Sequence, residues 1–392
     1  MSNIEYLIGN ESIDDSPLIS FDNEVLDFLQ KLSVTLMSNK SVRDYPDIAA
    51  FAYFCRLSNI KREQKKYAND FRMGRGLCFH IAPSNIPLNF AFSYVMSLVA
   101  GNANIVRLPS RDFPQSEIVV SIIKESLKNY HLIAKRTAFV KYDRESEWTD
   151  YFSKQADARM IWGGDNTVQK LKQIITKPTC IDVTFPNRYS VAIINGHEIL
   201  RASSNTLNKL AKDFYNDTYL MDQNACSSPQ IIFWINDCKE ARTIFWERVN
   251  SYVIKKYELN ESVSVDKYLS LCRNTINNSN INRLSKFNNN IYLFDISTID
   301  DSTFTTRFKS GMFYEKTIFD YKELNVLQDP MVQTISHFGC DEEKIICTLN
   351  YFQMKGINRV TKIGNALEMN FNWDGFNIIS VLSRNIFMEK NM

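Results

Sequence analysis

Apolar residues at helical spacing characterise the first part of the chain. Between Phe21 and Met37 they recur near helical spacing, at Val25, Leu26, Phe28, Leu29, Leu32 and Leu36. Ile48–Leu57 repeats this pattern. Because residues three and four apart share one face of an α-helix, the spacing predicts helical structure up to about Arg72.

The pattern changes near Gly76, where short apolar runs begin to alternate with amphipathic segments. Five of these runs are candidate strands: Gly76–Ala82, Asn104–Leu108, Thr137–Tyr142, Ala158–Trp162 and Cys180–Phe185. The segments between them predict helices: an apolar one ending at Gly101, then Gln115–Tyr130, Glu145–Gln155 and Asn166–Ile175. Strands alternating with helices of this length indicate an α/β fold with a doubly wound parallel sheet.

A second region starts near Ser203. Thr206–Tyr219 is amphipathic and predicts a helix, which is followed by a loop around Cys226 and a strand at Gln230–Ile235. Asn277–Ile291 holds seven asparagines in fifteen residues, which predicts a surface loop or an irregular connection.

Composition and charge exclude several classes of function. The 392 residues carry 46 basic and 44 acidic side chains, so charge gives no argument for a nucleic-acid partner. The longest apolar segment, Ile86–Ala100, contains a proline, an asparagine and two serines, which favours a buried helix over a transmembrane segment. The N-terminus lacks the pattern of a secretory signal, so we expect a cytoplasmic protein.

The eight cysteines form no CxxC pair, and the four histidines are scattered along the chain. Neither a disulfide framework nor a metal site is expected, and the thiols should be reduced. Cys55, Cys78 and Cys347 lie inside apolar patterns and are predicted to be packing residues.

Two strand-to-helix turns are candidates for ligand binding. One is PSNIP at Pro83–Pro87 and the other is GGDNT at Gly163–Thr167, and each follows a predicted strand. In parallel sheets, ligands gather at the carboxyl ends of strands, where helix N-termini offer unpaired amides. No G-x-G-x-x-G fingerprint occurs, so each segment can equally be a simple turn before a helix.

Cys226 is the sharpest candidate for chemistry. Its neighbours Ala225, Ser227 and Ser228 are small or polar, which suits an accessible loop. A cysteine in a cytosolic chain is nevertheless more often structural than catalytic. No histidine lies within a short span of it, so a papain-like dyad is not indicated, although a distant histidine stays possible.

Six segments, taken in order, resemble the LuxC-type acyl-CoA (fatty acyl) reductases, a branch of the aldehyde dehydrogenase superfamily. They are FHIAPSNIPLNFAFS, AGNANIVRLPS, ARMIWGGDNTV, DQNACSSPQIIF, VQTISHFG and RVTKIGNALEMNFNWDGFNIISVLSR, and they run from about Gly74 to Arg384. The resemblance implies an aldehyde-dehydrogenase-like fold, in which a Rossmann-like cofactor domain and an α/β catalytic domain enclose the site. We expect an N-terminal helical segment at 1–72, the cofactor domain at 73–200, the catalytic domain at 201–375 and a C-terminal arm at 376–392. This arm would return to the core or to an oligomer interface.

The resemblance also assigns roles to residues. Cys226 matches the nucleophile that accepts the acyl group as a thioester, and Asn85 matches the amide of the oxyanion hole. The element at Arg107–Arg111 matches the K-P-S segment of the superfamily, but here it is RLPSR, so the residue replacing the lysine is open. The residues implied for cofactor binding are Arg107, Ser110, Arg111, Gly163 and Gly164.

One departure from the superfamily bears on the reaction. Hydrolytic aldehyde dehydrogenases carry a glutamate that activates water, whereas the corresponding stretch here, VTFPNRYS at Val183–Ser190, has none. Without that base an acyl-cysteine should last long enough to be reduced. The resemblance therefore implies NADPH-dependent reduction of a long-chain acyl thioester to the aldehyde. An acyltransferase or thioesterase using the same acyl-cysteine, and a non-catalytic interaction subunit, are the alternatives.

The implied partners follow from the same family. They are an acyl-CoA or acyl-carrier thioester, an acyl-protein synthetase that supplies activated acyl groups, and further copies of this chain in a homo-oligomer.

Overall fold

The computed structural model describes residues 3–387, which form two compact units. The first comprises the described residues up to Pro186 together with those from Met369 onward, and the second comprises Asn187–Glu368. Among the described residues, no helix is both long and apolar enough to cross a bilayer. The domain boundaries expected from the sequence stay a prediction, and residues 388–392 of the expected C-terminal arm lie outside the described residues.

The first unit begins with a strand that the sequence analysis missed. Strand β1 (Ile4–Ile8) pairs antiparallel with the edge of a sheet, whereas the sequence predicted helix throughout the first 72 residues. Its apolar side chains are retained by partners more than 130 residues away, and no local pattern encodes that pairing. The helical prediction is confirmed from Asn23 onward, in α1 (Asn23–Ser38), α2 (Pro46–Phe54) and α3 (Leu57–Gln64).

The next elements alternate as the sequence predicted. They are β2 (Arg72–Gly74), β3 (Leu77–Ile81), α4 (Asn89–Val99), β4 (Ala103–Arg107), α5 (Pro114–Leu127), α6 (His131–Ala134), β5 (Thr137–Tyr142), α7 (Trp148–Gln155), β6 (Ala158–Trp162), α8 (Asp165–Lys172) and β7 (Ile181–Phe185). The sheet order is β1-β5-β4-β3-β6-β7, with β3 to β7 parallel. Apolar residues on both faces explain why these strands appear in the sequence as nearly continuous apolar runs.

The second unit is built around a seven-stranded sheet. Its elements are β8 (Tyr189–Asn195), α9 (Gly196–Arg201), α10 (Ser204–Thr218), β9 (Pro229–Ile235), α11 (Lys239–Lys256), α12 (Glu261–Asn277), β10 (Ile281–Phe287), β11 (Ile291–Ile296), α13 (Asp301–Thr305), β12 (Met312–Ile318), β13 (Val332–Phe338), α14 (Glu342–Tyr351) and β14 (Arg359–Lys362). The strand order is β10-β11-β12-β9-β8-β13-β14, and only the β10–β11 pair is antiparallel.

The sequence predicted a surface loop or an irregular connection for the asparagine-rich segment Asn277–Ile291, but this segment is not irregular throughout. Its middle forms β10, a largely exposed edge strand paired with β11. Polar side chains are compatible with an exposed edge strand, so composition alone misled the prediction.

The chain then returns to the first unit through β15 (Asn372–Trp373), β16 (Phe376–Asn377), α15 (Ile378–Leu382) and β17 (Ser383–Asn385). Strand β17 pairs with β2, and Ile378, Ile379 and Leu382 are buried against the core of that unit.

Candidate active site

Every predicted site residue except Cys226 lies at one edge of the sheet of the first unit, at or just after the carboxyl ends of β3, β4 and β6. Strand β3 lies between β4 and β6, and Ile81 at its carboxyl end pairs with both Arg107 and Ile161. The chain leaves β3 for β4 on one side, and β6 lies on the other, so this edge is a topological switch point. Crevices at such points are where parallel α/β sheets bind ligands.

The turn after β3 carries Asn85, which is exposed. The turn is fixed from below, because the Ser116 hydroxyl on α5 donates to the Pro87 carbonyl at 2.7 Å. Asn89 opens α4 and is buried, and its Oδ1 has no hydrogen-bond partner. The exposed Asn85 therefore lies on a turn that a hydrogen bond attaches to α5.

The turn after β6 carries Gly163 and Gly164. The Gly163 amide donates to the Phe185 carbonyl at 3.2 Å, and Gly164 is the N-cap of α8. Neither glycine has a positive φ, so left-handed backbone is not the reason for the pair. A Cβ on Gly163 would approach the Thr167 methyl to 3.2 Å, so the glycine allows close packing of the turn on the helix.

The predicted basic residues at the end of β4 and just after it lie in different surroundings. Arg107 is partly buried, its guanidinium lies 4.8 Å from the centre of the Tyr142 ring, and its Nε is buried without a partner. Arg111 is exposed and lies over Phe113 at 5.1 Å. Ser110 is also exposed.

A buried polar chain lies beneath this edge, and sequence reasoning missed it. His80 Nε2 lies 2.9 Å from Asn104 Oδ1, and His80 Nδ1 lies 2.8 Å from the Ser93 hydroxyl. The Trp162 indole donates to the same hydroxyl at 3.2 Å. Because Oδ1 can only accept, Nε2 carries the proton and Ser93 donates to Nδ1.

His80 is neutral in this chain, because burial lowers its pKa to about 4. The chain of bonds connects Trp162, the last residue of β6, to the strands beside it. Polar residues within an otherwise apolar strand and helix were the only sequence signal for this cluster.

Cys226 belongs to the second unit and precedes the amino end of β9. The Ser190 hydroxyl at the start of β8 donates to the Cys226 carbonyl at 2.7 Å, and Ser190 pairs with Pro229 across the two strands. Cys226 is half-buried, whereas Ala225, Ser227 and Ser228 are buried. The small neighbours therefore pack against the unit and do not form the accessible loop that the sequence predicted.

The loop before Cys226 is held by Gln223, whose side chain is 2% exposed. Its Nε2 donates to the Pro229 carbonyl at 3.0 Å and to the Met312 carbonyl at 2.9 Å. Its Oε1 accepts from the Gly311 amide at 3.1 Å. Asp222 and Gln223 have φ values of 49° and 60°, a left-handed backbone that other contacts must hold in place.

The other side of the loop is attached to α10. The Ser228 hydroxyl donates to the Asp217 carbonyl at 2.7 Å. The Asp217 carboxylate is buried and accepts from the amides of Gly364 and Ala366 at 2.6 and 2.9 Å. Burial raises the pKa of Asp217 to about 7, and the two amides oppose that shift.

The histidines of the second unit lie away from Cys226. His197 follows the carboxyl end of β8, and His337 pairs with Ile193, about 10 Å along the strand from Ser190. Both histidines therefore lie toward the carboxyl ends of their strands, whereas Cys226 precedes the amino end of β9.

The other cysteines differ in their exposure. Cys55 and Cys78 are buried, and burial raises the pKa of Cys78 to about 12. Cys347 is exposed, so its prediction as a packing residue was wrong. In the part of the chain that the structure describes, no group of three or more His, Cys, Asp or Glu side chains could hold a metal ion.

Comparison with known proteins identifies the family. Residues 52–264 match the model of the family described as acyl-CoA reductase (LuxC). A long-chain acyl-protein thioester reductase from Vibrio harveyi is 22% identical over 303 residues, which is 76% of this chain and 60% of that protein. The present chain thus spans about 60% of the length of that relative.

Solved structures show the same fold at low identity. Aldehyde dehydrogenase 21 from Physcomitrella patens, in complex with succinate, superposes with a TM-score of 0.66 at 12% identity, over 93% of this chain and 85% of that one. A 1-pyrroline-5-carboxylate dehydrogenase from Thermus with bound NAD gives 0.62 at 12% identity, over 93% and 79%. The chain has the aldehyde dehydrogenase fold and belongs to the acyl-CoA reductase (LuxC) family.

Proposed function

We propose that the protein reduces a long-chain fatty acyl thioester to the aldehyde, with Cys226 as the acyl acceptor and a reduced nicotinamide as the reductant. The observation that carries the proposal is the position of Cys226. It is a half-buried thiol whose neighbours Ala225, Ser227 and Ser228 are buried, at the amino edge of the central strands of its sheet. The LuxC family match covers this loop.

The acyl transfer is a thiol exchange. The Cys226 sulfur bonds to the thioester carbonyl carbon, the bond to the departing thiol breaks, and the proton lost by Cys226 goes to that thiol. The oxyanion formed on the way needs amide donors, and Asn85 and the loop amides are proposed for that role. Hydrolysis is disfavoured because Val183–Ser190 contains no glutamate to activate water.

The edge of the first sheet fits a dinucleotide. Its three turns meet at a switch point, the N-terminus of α8 has no side-chain cap, and Arg107 has a buried Nε without a partner. We propose that Gly163 and Gly164 lie beside the pyrophosphate and that Arg107, Ser110 and Arg111 meet the ribose end. When bound, the nicotinamide supplies the hydride that, with one proton, converts the acyl-cysteine to aldehyde and thiol.

We propose NADPH as the reductant, because the exposed Arg111 can pair with a 2′-phosphate. The acyl donor is proposed to be acyl-CoA or an acyl carrier, and the partners to be a synthetase that activates the acyl group and further copies of this chain. A cytoplasmic location is part of the same proposal.

The proposal is tested by aldehyde formation from acyl-CoA thioesters of increasing chain length, each with NADPH, with NADH and without nicotinamide. We expect aldehyde only with nicotinamide, and none from Cys226→Ala. Cys347→Ala is the matched control, since Cys347 is an exposed thiol of the same unit and should be dispensable. Release of free acid or acyl transfer without nicotinamide would instead establish a thioesterase or an acyltransferase.

A further inference from the structure

Lys267 is a buried cation that the proposed reaction does not use. It lies on α12 and is 3% exposed. Its Nζ donates to the carbonyls of Asn289, Asn290 and Ser310 at 2.6, 3.0 and 2.6 Å. The same nitrogen lies 4.7 Å from the centre of the Tyr292 ring.

This environment matches an ammonium group. An ammonium has three N–H donors and here meets three carbonyl oxygens, whereas a neutral amine would direct its lone pair at one of them. Burial, together with repulsion from Lys286, lowers the pKa of Lys267 to about 7. The three carbonyls and the aromatic face oppose that shift, because each stabilises a positive charge.

The carbonyl of Ser310 connects Lys267 to the loop that bears Cys226. The Ser310 amide donates to the Asp222 carbonyl at 3.1 Å. The next two residues, Gly311 and Met312, bind the side chain of Gln223. Three consecutive residues therefore hold Asp222 and Gln223, which precede Cys226 by four and three positions.

The two segments that meet here are both held in a strained conformation. Asp222, Gln223 and Ser310 have φ values of 49°, 60° and 53°, in a region that residues other than glycine rarely occupy. Gly311, with φ of 87°, passes so close to Asn290 that a Cβ would overlap its carbonyl oxygen. Such a conformation persists only where surrounding contacts determine it, and Lys267 joins the carbonyls of both neighbouring turns.

We propose that Lys267 is a positioning residue for Cys226. Its ammonium gathers the Asn289, Asn290 and Ser310 carbonyls, fixes Ser310 and Gly311, and through them sets the conformation of the loop that presents the thiol. The proposal rests on Cys226 being the acyl acceptor. Lys267 acts through Ser310 and Gly311 on the residues that precede Cys226.

The test compares Lys267→Met, which keeps the apolar stem and removes the charge, with Lys286→Met. Lys286 is an exposed lysine whose Nζ lies 4.6 Å from the same Tyr292 ring, so it is a matched control. The rates to measure are acylation of Cys226 by acyl-CoA in a single turnover and alkylation of Cys226 by iodoacetamide, resolved by peptide mass spectrometry.

We expect Lys267→Met to slow acylation about tenfold or more, since small displacements of a reacting group can cost about a hundredfold. The KM for the nicotinamide should stay within about twofold, because a loop defect in the second unit leaves the nicotinamide-binding residues intact. Lys286→Met removes a neighbouring charge and leaves the three carbonyl contacts of Lys267 in place, so it should slow neither rate.

A folded Lys267→Met protein with wild-type acylation and alkylation rates would overturn the proposal. If that variant does not fold, Lys267→Gln, which keeps two donors, replaces it. Loss of fold in both variants would overturn the positioning role as well, since Lys267 would then be needed for the whole unit. If the wild type is not acylated, the proposed function fails, and the alkylation rate of Cys226 still decides the role of Lys267.

Discussion

Replacing Gln223 with methionine should destabilise the second unit strongly. The change keeps the side-chain length and removes three hydrogen bonds, with Pro229 and Met312 carbonyls and the Gly311 amide as partners. All three partner residues are buried, so each lost bond leaves a polar group without water. At about 1–2 kcal/mol for each unsatisfied group, the unfolding free energy should fall by about 3–6 kcal/mol.

The assay is urea unfolding, monitored by hydrogen-exchange mass spectrometry of peptides from β9 and β12. This readout is specific to the second unit, which matters because a chain with two compact units can unfold in more than one step. Gln328→Met is the control, since Gln328 is an exposed glutamine of the same unit and its replacement should change stability by less than about 0.5 kcal/mol. If Gln223→Met were no more destabilising than this control, the account of the loop would be refuted.

Three further predictions concern other parts of the chain. Because the pKa of His80 falls from 6.5 to about 4 on folding, the unfolded state binds more protons between these values. The stability of the wild type should therefore drop by about 3 kcal/mol as the pH falls from about 6.5 to 4. If His80→Gln showed the same pH dependence as the wild type in urea unfolding, the assignment would be contradicted. Gly311→Ala should lower the melting temperature by more than 5 °C, because the new Cβ would overlap the Asn290 carbonyl and the φ of Gly311 is positive. A smaller shift in calorimetry would argue against this contact. Arg111→Gln should raise the KM for NADPH about tenfold and leave that for NADH within about twofold, and equal effects on both would remove Arg111 from the 2′-phosphate site.

The strands of the first unit could be predicted because their burial on both faces leaves apolar runs in the sequence. Thr137–Tyr142 and Ala158–Trp162 have the predicted bounds. Strand β1 and the exposed strand β10 could not be predicted in this way. Each is fixed by pairing with a neighbouring strand, and the partner of β1 lies far away in the chain.

The candidate site divides in the same manner. Cys226 and the turns at Asn85 and Gly163 could be proposed from the sequence, because each lies in a short run of small, polar or turn-forming residues. The residues that hold the Cys226 loop in place are not recognisable from the sequence. Gln223 acts through Gly311, 88 residues away, and Lys267 through Ser310, 43 residues away, so their roles follow only from the folded chain.

In the proposed reaction, Cys226 carries the acyl group between the thioester and the reductant. The most direct test of this role is a single-turnover experiment with acyl-CoA, read by intact-protein and peptide mass spectrometry. We expect one acyl group on Cys226 in the absence of nicotinamide, and its release as aldehyde when NADPH is added. Undiminished acylation of Cys226→Ala, or an adduct that NADPH leaves in place, would contradict it.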